Sequence, residues 1–403
     1  AGTSITTGDF NTAVGSYSLD AVTTATRNTG IGHKAGTAIN TGIGNVAVGS
    51  WCLQATTSSN YNTAVGHTAM ELNQTGVANT AIGMGALVAS TTGDNNTALG
   101  SYALDTNTTA NYNTAIGSNA LQANTTGADN TAIGGAALYT NSTASNNTAV
   151  GKSALFTNST GANNTAVGYD ALKSNSTASN NVAVGAYSLS TNTVGTSNCA
   201  VGYKALQDST GSWNTAIGDL AMTNTTTGHN NVAIGHQAMD DAQTGNYNIA
   251  VGVNTLGSAT NTSRNVAIGH LSLFATTTGG DNVGVGYEAL SATTVAGQTA
   301  VGFGAMTQNT TGTGNVAVGY YAKRFGTGHD SCTAVGYLAL QGVNGYNNAD
   351  NNTAIGYQAL TANSSGGANT AVGAQALDAN TTGNGGTAVG YNALTGVTTG
   401  NNN

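Results

Sequence analysis

In this chain of 403 residues only 6% are Asp, Glu, Lys or Arg, the net charge is −8, and there is no proline. An ordinary globular protein carries roughly a quarter charged residues. So few cations exclude a basic face for nucleic acid, and no apolar run is long enough to insert into a membrane. The absence of proline fits a continuous ladder of backbone hydrogen bonds, to which proline has no N–H to give.

The chain is one motif written repeatedly, Asn-Thr-Ala-Val-Gly-x-x-Ala-Leu-x-x-Asn-Thr-Thr-Gly-x-x, with a period of 17 residues. With the first Asn as offset zero, copies begin at Asn11, Asn28, Asn45, Asn62, Asn79 and Asn96 and continue in step to Asn198. One residue is missing before Asn214 and another before Gln298, and three are added before Asn352. Twenty-three full copies fit, so 1–403 reads as a single repetitive domain, each copy one turn of a stack. Residues 1–10 match the end of a preceding copy and Asn403 opens the next. Neither end reads as a capping unit, which predicts a length of a longer fibre or ends covered by neighbouring subunits.

Within one turn, Thr at offset one and Val, Ile or Leu at offset three favour a strand. Side chains alternate along a strand, so the large residue at three is predicted to fill the interior and Ala at two to pack on the other side. Glycine at offset four (Gly15, Gly32, Gly49, Gly66, Gly83, Gly100 and onward) marks a bend between two short strands, by positive φ or close approach. Offset six varies freely and should face water. Offsets seven and eight, small then Leu or Met as in Leu19, Leu53 and Met70, repeat the pairing of small and large. Asn-Thr-Thr-Gly at eleven to fourteen is turn chemistry and is predicted to be exposed. Asn11, Asn28, Asn45, Asn62, Asn79 and Asn96 are placed to stack as an amide ladder. The predicted fold is all-β, a parallel β-solenoid (β-roll) of about 23 turns with two strands per turn, spanning roughly 110 Å at about 4.8 Å per turn. Two large and two small apolar side chains per turn fall short of the entropy of ordering the turn. A second buried face, and hence a homotrimer, is therefore expected.

The chemistry-bearing residues are sparse. The acids are scattered, with Asp240-Asp241 the main close pair, and no nucleophile–base set, phosphate loop or zinc spacing recurs. The reading is no enzyme, no cofactor and no catalytic or metal site. His33, His67, His236 and His270 share offset five, two turns apart within each pair, too far for one ion within a chain. The same column turns aromatic at Phe303, Tyr320, Tyr337 and Tyr357, then Tyr391, a structural stack or a sugar-binding strip. Asn107, Asn124, Asn141 and Asn158 head Asn-x-Ser/Thr sequons, glycosylation acceptors if exposed and otherwise good turn residues. Cys52, Cys199 and Cys332 lie many turns apart and cannot pair within the chain.

The string from Asn62 to Met70, and its copy from Asn164 to Leu172, resembles repeats of phage tail-fibre proteins. Its core Ala-Val-Gly-x-x-Ala is also similar to the head repeats of trimeric autotransporter adhesins, whose period is shorter. The resemblance covers essentially the whole chain. It implies an extracellular, cell-surface or virion fibre that projects and presents a multivalent binding surface, with host-surface glycans as partners. The alternatives are a self-assembling extracellular filament docking head to tail, and a glycan- or ice-binding solenoid.

Overall fold

The computed structural model describes residues 2–345 and 349–403. It divides the chain into two compact units, Ala1–Asn198 and Cys199–Asn403. Each unit is a parallel β-solenoid with one three-residue strand per repeat. The first holds β1 (Thr12–Val14) to β11 (Val182–Val184) and the second β12 (Cys199–Val201) to β23 (Thr387–Val389). No helix occurs among the described residues. Within each unit consecutive strands pair in register, so identical offsets stack. Thr63, Ala64 and Val65 lie against Thr80, Ala81 and Ile82, and those against Thr97, Ala98 and Leu99.

The predicted second strand is absent. After the glycine at offset four the chain runs through a series of turns. Offsets six and eight adopt left-handed backbone, as at Thr68 (φ 55°) and Met70 (φ 50°), which no extended strand tolerates. Inter-turn bonding nevertheless continues there. Leu53 N–H donates to the Ala69 carbonyl at 3.1 Å and Ala55 N–H to Glu71 at 2.9 Å. The backbone is therefore satisfied around the turn without a second sheet.

The interior is also reversed relative to the sequence prediction. Ala at offset two is the buried member of the strand: Ala64, Ala81, Ala98 and Ala115 have no exposed surface. Offset three faces outward, with Ile31, Ile82, Leu99, Ile133, Ile217 and Ile355 all 38–43% exposed. The reason is the thinness of the turn. Leu or Met at offset eight, wholly buried, already crosses the interior, and only a methyl fits opposite it. The two copies with glycine at offset two show the tolerance. A Cβ on Gly30 would lie 2.6 Å from Ser18 Oγ and 2.8 Å from Leu19 Cγ, and one on Gly284 would lie 2.7 Å from Ser272 Oγ. In both, Ser replaces Ala at offset seven of the turn before, and its hydroxyl donates to the glycine carbonyl (Ser18 to Gly30, 2.8 Å; Ser272 to Gly284, 2.9 Å). Both glycines at offset two follow a serine that bonds forward to them, whereas Ser188, at the same offset seven, donates to the Gly185 carbonyl of its own turn at 2.8 Å.

The period changes are absorbed outside the strands. Between Asn282 and Gln298, 16 residues apart, Gln298 N–H still donates to Asn282 Oδ1 at 2.8 Å, and Val283 still faces Thr299. Across the three-residue insertion Thr333 faces Thr353.

Candidate functional surfaces

Glycine at offset four is required twice over. Its φ runs from 119° at Gly15 to 141° at Gly218, a region closed to L side chains. A Cβ on Gly66 would also stand 2.5 Å from the Gly83 carbonyl oxygen of the next turn. Gly15, Gly32, Gly49, Gly83 and Gly100 meet the same close approach. Glycine ends the strand and lets adjacent turns touch.

Asparagines stack inside the turns in two columns, at offset zero in nearly every repeat and at offset eleven in runs such as Asn107 to Asn192. At offset zero Asn28 N–H donates to Asn11 Oδ1 at 3.0 Å, while Asn28 Nδ2 donates to the Gly42 carbonyl at 2.8 Å. The pattern repeats through Asn45, Asn62, Asn79 and Asn96. At offset eleven Asn124 Nδ2 donates to Asn107 Oδ1 at 3.0 Å, Asn141 to Asn124 at 2.9 Å and Asn158 to Asn141 at 2.9 Å. Each of these amides also donates to a carbonyl three residues on, as Asn124 does to Gly127 at 2.9 Å. This corrects the exposed-turn reading of offset eleven. Asn107, Asn124, Asn141 and Asn158 are wholly buried, and both N–H bonds of the last three are committed, so the folded turn offers no nitrogen to a glycan. Sequons with exposed asparagines exist elsewhere. Asn224 is one, because it stands at offset ten, one place before the buried column, where Thr225 takes the inward position. Asn95, Asn146, Asn163 and Asn351, each followed by Asn-Thr, lie exposed at offset sixteen. Their signal, an Asn-Asn-Thr string straddling the repeat boundary, is readable in the sequence.

The exposed side of each strand presents Thr or Val at offset one beside Val, Ile or Leu at offset three. Thr is frequent in the first unit, whereas the second often has aliphatics at both positions, as at Val232 and Ile234, Ile249 and Val251, and Val266 and Ile268. A column of half-exposed aliphatics in register is a contiguous apolar surface rather than scattered exposure.

The aromatic column at offset five is longer than the predicted strip. His270, Tyr287, Phe303, Tyr320, Tyr337 and Tyr357 stack on consecutive turns, with centroids 4.8–5.3 Å apart and planes within 7–19°. The column was open to a longer reading, since His270 and Tyr287 share the offset. The ring faces are turned to one another, so mostly edges meet solvent. The stack ends at His270 and at Tyr357, the latter 51% exposed, because the column continues with Val253 on one side and Ala374 on the other. The Glu288 carboxylate bonded to Tyr287 raises that phenol above its ordinary value, and burial raises Tyr320. The earlier histidines make isolated contacts. His33 meets Tyr17 and Trp51, both at 6.1 Å, and His236 Nε2 lies 3.5 Å from Asp219.

An open cavity of about 300 Å³ in the second unit is lined by Gln237, Asp240, Asp241, Asn254, Gly257, Ser258 and Phe274. Burial raises the Asp240 carboxyl, and a hydrogen bond from Thr223 works against that. Among the described residues no group of three or more His, Cys, Asp or Glu side chains is placed to hold a metal ion, and no helix is long and apolar enough to cross a membrane. No protein-family model matches the chain, and no curated protein matches its sequence.

Proposed function

We propose that the chain is a structural fibre subunit, extracellular, on a cell surface or on a virion, that associates as a homotrimer and presents a repeated binding surface without catalysis. One observation carries this reading: the aliphatic column at offset three lies on the outside and recurs at the same place on every strand. A face of this kind is stabilised when another copy covers it, and a turn whose interior holds only one large apolar side chain has most to gain. Repetition then supplies multivalency, since each turn presents the same variable positions at a fixed spacing. Glycan contact remains a secondary reading, favoured by the uncovered face of Tyr357.

Mass photometry of the purified chain tests the association. The expected species has three times the 39.5 kDa chain mass, and Val65→Lys with Val167→Lys should reduce it to one. A monomer for the unaltered chain at micromolar concentration overturns the trimer. Open-ended polymers would favour the head-to-tail filament instead.

A further inference from the structure

One turn departs from the repeat at several inward positions together. Lys323 stands where nearly every other turn has Leu or Met, and Cys332 replaces the offset-zero asparagine. His329 occupies offset fourteen, usually glycine or alanine, and Gly326 offset eleven. The changes fit each other. A Cβ on Gly326 would lie 2.5 Å from the His329 ring, so the imidazole fills the space a side chain at offset eleven would need. Lys323 is wholly buried and is the largest such side chain among the described residues. Its Nζ lies 3.4 Å from Asn309 Oδ1 and 3.5 Å from the His329 carbonyl. Among the described residues no carboxylate comes within ion-pair distance of it, and Asp330 and Asp350 act on it only from further away.

A buried amine hydrogen-bonded to a carboxamide oxygen on the adjacent turn brings the two groups of an amide exchange side by side. Asn309 is oriented for this, because its Nδ2 is tied to the Gly312 carbonyl at 2.9 Å while its oxygen faces the lysine. We propose that Lys323 and Asn309 form an amide cross-link between consecutive turns. Nζ, once deprotonated, attacks Cγ of Asn309; the Nζ–Cγ bond forms and the Cγ–Nδ2 bond breaks. A second proton from Nζ goes to Nδ2, which departs as ammonia and takes up the first as ammonium. No oxidant or co-reactant enters. Burial lowers the Lys323 ammonium to about 8, so on the order of a tenth of chains carry the free amine at neutral pH. The cross-link would lie between Gln298 and Cys332, two of the three positions (with Gly386) where the offset-zero column of the second unit lacks asparagine.

Mass spectrometry of the full chain after incubation in mildly alkaline buffer tests this. The expected result is a mass about 17 Da below that of the sequence, the loss of one ammonia, with a branched peptide joining Asn309 to Lys323 in tandem spectra. Lys323→Met should keep the full sequence mass, and it should fold, since Met70, Met222, Met239 and Met306 occupy the same offset. Asn309→Ala should also keep the full mass. An unaltered chain of full mass overturns the proposal. So does a 17 Da loss mapped elsewhere, for instance as a succinimide at Asn384-Gly385.

Discussion

At the scale of single residues, the fold is governed by what a methyl group can reach. Ser18 with Gly30, and Ser272 with Gly284, exchange one small volume across adjacent turns. Gly30→Ala is therefore expected to destabilise by about 1–3 kcal/mol through overpacking. Adding Ser18→Ala should recover most of that loss. Chemical denaturation of the two single variants and the double variant measures the coupling, and additive losses would show that the two sites are independent. The same scale marks a limit of sequence reading. Alternation showed that offsets two and three face opposite ways, but hydrophobicity pointed the larger residue inward. Which side is inside depends on the thickness of the turn, fixed by a leucine five or six residues on. Left-handed backbone at Thr68 and Met70 was equally hidden, because neither residue type favours it.

At the scale of the element, one turn is a short strand, a glycine hinge and a run of turns held by side-chain amides. The strand, the glycine and the buried offset eight were legible from the columns of the repeat. The fate of Asn-Thr-Thr-Gly was not. Its composition is that of an exposed turn, yet its asparagine earns a buried position by bonding to the copy one turn away. Removing one rung should then cost more than removing a surface turn residue. Asn124→Ala leaves Asn107 Oδ1 without its donor and Asn141 Nδ2 without one acceptor, while the Gly127 carbonyl keeps Asn113 Nδ2, and a loss of about 1–3 kcal/mol is expected. Exposed Thr92→Ala, compared in the same thermal melts, should change stability far less. Equal effects would place offset eleven in solvent after all.

For the molecule as a whole, repetition turns a local choice into a global property. Because nearly every strand buries Ala at offset two, Gly30 and Gly284 excepted, and turns Val, Ile or Leu outward, each unit carries an apolar column on its outer face, and the proposed trimer rests on that face. Had the larger residue faced inward, alanine would line the exterior and the case for covering it would be far weaker. The most direct measurement compares two neighbouring substitutions on β4 (Thr63–Val65) by denaturant unfolding. Ala64→Val should destabilise by about 1–3 kcal/mol, because the interior has no room for two more carbons. At dilutions where mass photometry shows single chains, Val65→Ala should cost about 1 kcal/mol or less, because within one chain it trims a side chain that is already partly in water. The reverse order, with Val65→Ala severe and Ala64→Val tolerated, would contradict the account.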